Sequence, residues 1–472
     1  MTLTSTPAGL HRNLRQRHVV FIGLAYMSPF AVFDTFGIVS EATNGHVPMS
    51  YIIITIAVLF TAFSYARMVR VYPSAGSAYT YTRRTIAAPV GFLVGWASLL
   101  DYLFLPMINA LLAKIYLSAE FPGVPDWMWI VGLILVITVL NIIGVRVSAV
   151  ANMIMVVFQA LLAIVFVVLT VRAILSGDAL AFTFAPFYSV SADMASLVGG
   201  ASVLALAFLG FDAVTTLSEE TVDPRRTVPR SIMWIAALGA AFFVSITYVM
   251  QTLVPDLDTL NAITPDIEGA SPYIALFIGG ILFQTIFLAG ATVSVVSSGL
   301  ASQLSASRLL YAMGRDGIIA RKLFGYVHPR LGTPVINIVL VGAIALTALQ
   351  LDLNAATSLI NFGAFTAFAF VNLSVIAFWI RHRRTEHTHG SSIGWTLIPG
   401  IGFLINVWLW LSLDQLAMTV GLIWSGIGAL YLLWLTRGFR RPTPDVAFEE
   451  AEDLPTGVVR VGDERAVMSE PR

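Results

Sequence analysis

Cysteine is absent from the 472 residues, which excludes disulfides, thiolate nucleophiles, iron–sulfur clusters and thiolate metal sites. Redox logic therefore assigns no compartment. Charge is scarce as well: Asp, Glu, Lys and Arg make up 11 % of the chain, and Lys+Arg and Asp+Glu balance at 27 each. With no basic excess there is no electrostatic footprint for nucleic acid. The first 18 residues are polar and basic (His11, Arg12, Arg15, Arg17, His18) and lack a short apolar core with a small-residue cleavage site. They read as a cytoplasmic N-terminal segment rather than a signal peptide. What the chain does have is apolar surface, 57 % of its residues, far outside soluble composition and inside the polytopic membrane class.

Runs long enough to cross ~30 Å of hydrocarbon number twelve: Val19–Glu41, Met49–Val71, Val90–Ala119, Trp127–Val145, Ala149–Leu175, Ser196–Leu217, Ile232–Val254, Tyr273–Leu310, Pro334–Leu351, Ala355–Ile380, Ile393–Leu411 and Leu416–Thr436. An even number with a cytoplasmic start places both termini inside, and the basic residues agree. Arg83, Arg84, Arg146, Arg225, Arg226, Arg230, Arg315, Arg321, Lys322, Arg381, Arg440 and Arg441 fall on the inner side, and only Lys114 and Arg172 lie toward the outer. The outer face collects Asp178, Asp193, Asp256, Asp258 and Asp414. The connector YPSAGSAYTYTRR (72–84) is too polar to cross and reads as cytoplasmic or re-entrant, either a gating element or a loop with Tyr79 and Tyr81 at the interface. Beyond Arg441 the proline-bearing, acidic 442–472 predicts a disordered cytoplasmic tail. His387 and His389 stand in a polar loop without paired acids, so no metal site is assigned. No other cofactor is implied.

Two apolar segments carry both a helix break and an acid. In ALAFLGFDAVTTLSEETVDPRRTVPR (205–230), Asp212 follows Gly210 and Phe211 at membrane depth, where a carboxylate costs about 2.5–3.5 kcal/mol on insertion scales. In YMSPFAVFDTFGIV (26–39), Pro29 removes a donor, Gly37 adds freedom, and Asp34 lies at similar depth. Unpaired backbone at that depth is tolerated only against protein or a water-filled cavity. The breaks fall in the first and sixth spans, where two five-helix repeats of inverted topology place equivalent discontinuities. The expected architecture is a 5+5 bundle, 19–175 and 196–380, with spans one and six unwound around a central site and 393–436 peripheral. A third acid, Asp101, lies midway along the third span with Tyr102, Trp96 and Asn109 nearby. It is either a site residue or a structural interhelical partner. Ser294, Ser297, Ser298 and Ser302 of the eighth span suit close packing more readily than cation coordination.

These motifs resemble those of the amino acid-polyamine-organocation permeases. LGFDAVTTLSEETVDPRRTVPR is similar to their sixth helix and following loop. The first-span, third-span and GLASQLSASRLLYAMGRDGIIARKLFGYVHP segments resemble bacterial putrescine importers, over roughly residues 18–440. The resemblance implies a LeuT-like fold and secondary active transport by alternating access, and places the substrate at Ser28–Asp34 and Leu209–Asp212. Many relatives break the first helix at a Gly-Ser-Gly type sequence whose bare amides hold a substrate carboxylate. Pro29, Phe33 and Asp34 suit an amine instead. The expectation is an importer of putrescine or a related polyamine in the cytoplasmic membrane. Its site would be Ser28, Phe33, Asp34, Asp101, Tyr102, Phe208, Gly210, Phe211 and Asp212, the acids neutralising ammonium groups and the rings supplying cation–π surface. An amino-acid permease is the alternative, and a proton rather than sodium is the expected coupling ion. Oligomeric state is not legible.

Overall fold

In the computed structural model, residues 12–121, 123–178, 182–189, 192–264, 267, 269–351, 353–382, 392–413 and 415–441 are described. Expectations for the 442–472 tail and for His387, His389 and Asp414 fall outside them. The helices are α1 Gln16–Met27, α2 Ala31–Ala42, α3 Val47–Val71, α4 Ser77–Thr85, α5 Ala88–Glu120, α6 Asp126–Ile143, α7 Val145–Ala173, α8 Met194–Phe208, α9 Pro224–Leu253, α10 Leu257–Ile263, α11 Ala270–Arg315, α12 Arg321–Phe324, α13 Val335–Ala345, α14 Leu353–His382, α15 Ile398–Leu411 and α16 Gln415–Leu435. Helix is the only solution available to a lipid-embedded chain that does not close into a barrel, because every backbone group must be paired within the segment. Among the described residues eleven helical segments are long and apolar enough to cross a membrane, with α1–α2 counted as one. The expected ninth span is present in a shorter form: α13 has 11 residues and ends in a four-residue 3-10 turn, Leu346–Leu349.

The buried share of each span sorts the bundle into a core and a jacket. The most apolar stretch of Ala88–Ser118 is 83 % buried within the protein, whereas that of Gln415–Leu435 is 22 % buried. Leu422, Ile423, Leu430 and Trp434 of α16 are accordingly left for lipid. Around α5 gather α14, α11 and α4, and α3 lies along α9.

Both expected breaks are present. α1 ends at Met27 and α2 resumes at Ala31, with Ser28 at φ +52 between them. Pro29 cannot donate to the helix and Ser28 holds a conformation that a side chain disfavours, so the chain leaves the helical path there. α8 ends at Phe208, and after Leu209–Asp212 the chain continues as a tighter 3-10 segment, Ala213–Glu220. Gly210 sits at φ +124, and a Cβ on it would stand 2.8 Å from Tyr26 Cβ and 2.9 Å from both the Gly23 carbonyl oxygen and the Met27 nitrogen. One break is thus pressed against the other.

The 72–84 connector is neither a plain loop nor an interfacial belt. It forms α4, and Tyr79 and Tyr81 are fully buried. Lodged between α5 and α14, its rings are core side chains.

Candidate functional site

Above the first break lies a cavity of about 480 Å³. Ser28 comes from the break itself, and Ala31, Asp34 and Thr35 from the first turns of α2. Asn109 is supplied by α5, Ser202 by α8 and Asn361 by α14, while Ser412, Leu413 and Leu416 reach it from the α15–α16 turn at the acidic end. Restarting the helix at Ala31 turns Asp34 inward, where the Tyr116 hydroxyl of α5 donates to its Oδ1. Asp34 is the only carboxylate among the lining residues, which include no Arg, Lys or His.

The polar groups around it are mostly spent as donors. Thr35 Oγ1 donates to Ala31 O at 3.0 Å, Ser202 Oγ to Val198 O at 3.0 Å, Ser298 Oγ to Tyr26 O at 3.1 Å and Ser412 Oγ to Trp408 O at 2.9 Å. Asn109 Nδ2 donates to Leu105 O at 2.9 Å. Ser28 pairs with Ser294, tying the break to α11. Each of these hydroxyls and the Asn109 carbonyl keeps lone pairs, so the cavity accepts hydrogen bonds far better than it donates them.

Beneath the second break is a separate, dry cluster. Asp101 and Asp212 are 2 % and 1 % exposed, and neither lines the cavity. Tyr102 donates to Asp212 Oδ2 at 3.0 Å and the Gly210 amide lies 3.4 Å from Oδ1, so the carboxylate closes the broken end of α8. Asp101 Oδ1 has no hydrogen-bond partner.

The expected site residues therefore divide. Ser28 and Asp34 face the cavity together; Asp101, Tyr102 and Asp212 share the cluster below; Gly210 is the contact between the breaks. The three phenylalanines line neither. Phe33 packs on Phe30, Phe166 and Phe287, Phe208 on Tyr51 and Phe243, and Phe211 on Tyr65 and Phe368. Trp96, near Asp101 in sequence, turns away from it and stacks on Trp424 of α16 at 4.8 Å. The serines of the eighth span brace neighbours: Ser294 holds Ser28, Ser297 reaches Asn152 at 3.3 Å and Ser298 holds the Tyr26 carbonyl. Sequence reading missed Thr35, Tyr116, Ser202 and Asn361. None is an acid or beside a helix breaker, and the pairing of Tyr116 with Asp34 exists only once α2 and α5 are packed.

At the basic end the bundle is shut. Arg308 of α11 and Glu220, 0 % and 1 % exposed, pair through Nε–Oε1 at 2.6 Å and Nη2–Oε2 at 3.3 Å. Arg315 reaches Glu219 at 2.6 Å, and Tyr79 donates to Asp316 Oδ2 at 2.9 Å. The amides of Asn13 and Leu14 both donate to Glu220 O at 2.9 Å, stapling the N-terminal segment beneath the 3-10 segment.

Comparisons with known proteins bear on the family and the fold. The family model described as "Amino acid permease" matches residues 18–428. The low-affinity putrescine importer PlaP of Escherichia coli K12 is 45 % identical over 448 residues, covering 94 % of this chain and 98 % of that one. The branched-chain amino acid permease BcaP of Bacillus subtilis is 24 % identical over 91 % of this chain and 94 % of its own. Among solved structures, a Na+-coupled sialic acid symporter in a substrate-bound outward-open state aligns with a TM-score of 0.53 at 14 % identity, over 86 % of this chain and 90 % of that one. At that identity the likeness concerns the fold alone, and it is the LeuT-like symporter fold that the paired breaks imply.

Proposed function

The chain belongs to the amino acid permease family, a multi-pass membrane carrier rather than an enzyme, and from that premise we propose that it imports putrescine or a closely related polyamine across the cytoplasmic membrane by alternating access, coupled to protons. The identity to a putrescine importer over nearly both full lengths supports the substrate class. The observation that carries the reading is the cavity's chemistry. An ammonium group brings three donors and no acceptor, matching a wall of lone pairs around one carboxylate. An α-amino acid would bring a second carboxylate to Asp34, with no Arg, Lys or His in the lining to receive it. Methylene groups of a diamine would lie against Ile38, Leu105, Ile108, Leu112, Val203 and Leu206.

Of the expected site residues, Ser28 and Asp34 are proposed to meet the substrate directly. Tyr102 and Gly210 are proposed to hold the break beneath it, with Phe33, Phe208 and Phe211 packing the break helices in place. The two repeats, 19–175 and 196–380, move against one another with 393–436 outside them. Both termini are assigned to the cytoplasm from the arginine distribution. An impermeant thiol reagent in intact cells should label a cysteine placed at Asp258 and spare one at Arg226; the reverse pattern would overturn the orientation.

Uptake of labelled putrescine tests the substrate. Excess cadaverine or spermidine should compete, whereas leucine and arginine should not, and Asp34→Asn should abolish uptake while protein level persists. Competition by leucine as strong as by cadaverine, or unchanged apparent affinity in Asp34→Asn, would refute the amine reading.

A further inference from the structure

The cavity uses one acid, Asp34, yet two more, Asp101 and Asp212, are buried below it. Asp101 on α5 and Asp212 below α8 share one chamber and interact electrostatically with each other. Tyr102 of α5 donates to Asp212 at 3.0 Å, and the buried Tyr26 of α1, Tyr65 of α3 and Tyr81 of α4 all lie within electrostatic range of Asp212. Gly363 of α14 packs directly on the α5 backbone at Ala97 and Asp101. No Arg, Lys or His of the described residues acts on either carboxylate. Two adjacent anions in a dry interior without a counter-cation are not sustainable, and a structural ion pair, the ordinary reason to bury an acid, is missing. A cation has to be shared between them, and with both side chains almost wholly buried a proton is the cation that asks for the least space.

One residue joins the chamber to the cavity. Tyr26 lines the cavity, while its buried hydroxyl has no hydrogen-bond partner and lies within electrostatic range of both acids. We propose that Asp101 and Asp212 together are the proton-carrying site of this carrier, distinct from the cavity where Asp34 meets the amine, with Tyr26 as the link between them. This rests on the polyamine-import reading for its substrate. In each cycle an O–H bond forms on one carboxylate with a proton taken from water at the outer face and breaks when that proton passes to water at the inner face. No other bond changes. The carrier reorients with the amine in the cavity and the proton on the pair, and returns after both have left at the inner face.

Asparagine mimics the protonated acid, which makes the role separable from substrate binding. In proteoliposomes clamped at zero potential, the parent should concentrate labelled putrescine under an inward proton gradient. Asp101→Asn and Asp212→Asn should each keep putrescine–putrescine exchange within a few-fold of the parent, yet only equilibrate under the gradient. Tyr26→Phe, which keeps the ring, should lower the proton:putrescine ratio rather than exchange. Asp34→Asn should lose both activities. Gradient-driven accumulation by the Asn variants equal to the parent would overturn the proposal. So would loss of their exchange as complete as in Asp34→Asn while detergent melting stays normal, because the acids would then be amine ligands. A parent that exchanges putrescine but ignores the proton gradient would refute the proton site and leave the substrate reading standing. Absence of exchange in the parent would sink the substrate reading instead. Independently of substrate, purified Asp101→Asn/Asp212→Asn should take up about one proton fewer than the parent over a pH 8 to 5 titration, and an equal count would overturn the site.

Discussion

Consider the removal of charge from Glu220. Its carboxylate and the Arg308 guanidinium are both buried and joined by two contacts, at 2.6 and 3.3 Å. Arg308 keeps only neutral partners besides, Ser307 Oγ at 3.0 Å and Leu304 O at 3.4 Å. In Glu220→Gln the cation stays buried without its counter-charge, and breaking one side of such a pair costs about 3–5 kcal/mol. That cost falls on the conformation in which the basic end is shut, because opening that end lets water reach Arg308. At about 1.4 kcal/mol per tenfold, the open form gains roughly 150- to 4,000-fold in relative population. The natural absence of cysteine makes this measurable. A cysteine at Thr215, fully buried in the closed end, should react with an impermeant maleimide in inverted vesicles at least 100-fold faster in Glu220→Gln than in the parent. Arg308→Met with Glu220→Gln removes both charges and should return the rate to within about tenfold, since apolar replacement of a whole buried pair is often neutral. Equal labelling in the parent and Glu220→Gln would refute the lock. A double variant as open as the single one would show that geometry rather than unpaired charge holds the end shut.

Gly210→Ala confronts both a disfavoured backbone conformation and the occupied space against Tyr26, Gly23 and Met27. Transport should fall more than tenfold with a lowered melting temperature, and parental uptake would contradict the crossing of the two breaks. Asp193 caps α8 by accepting from the Ser196 amide at 3.0 Å, and these backbone and hydroxyl bonds hold its carboxyl below the usual carboxylate range. A folded value below the unfolded one gives stabilisation that is complete above about pH 4 and is lost as pH falls through the folded value. Melting of Asp193→Ala should therefore differ from the parent at pH 6 and converge with it near pH 2, whereas a constant difference would exclude the carboxylate as the cause.

How much of this was legible follows from where each signal resides. Apolar run length is local, so the spans emerged from sequence nearly where they lie; that α13 is short and ends in a 3-10 turn was not legible, because it depends on what packs around it. Pro29 and Gly210 act on the backbone within a residue or two, so both breaks were readable. Asp34, Asp101 and Asp212 stood out because charge at membrane depth is costly, but only tertiary packing decides which shares a cavity and which shares a dry chamber. The phenylalanines next to the acids misled for the same reason. Adjacent residues on a helix point about 100° apart, so Phe33 and Asp34 face different neighbours. The polar composition of 72–84 marked a segment that does not cross, but not that it packs inside as α4 with its hydroxyls satisfied there, as with Thr85 Oγ1 on Tyr81 O at 2.8 Å.

The charge of the substrate sets what coupling has to supply. Putrescine crosses as a dication, and two charges moving down an inside-negative potential release about 4.6 kcal/mol per 100 mV, from about 2.3 kcal/mol per charge. That alone supports roughly 2,000-fold accumulation, so a proton is not needed as a source of force at high potential. It matters where potential is low and the outside is acidic. With Asp34 carrying one negative charge, the cavity offsets only half of the dication, and a proton bound below adds a third positive charge to the moving complex. Each imported putrescine should therefore carry three charges inward rather than two. Simultaneous recording of current and labelled uptake in proteoliposomes gives that ratio directly. A value near three at pH 6 that falls to two in Asp212→Asn is the expected result; a value of two in both would mean that the dication enters alone.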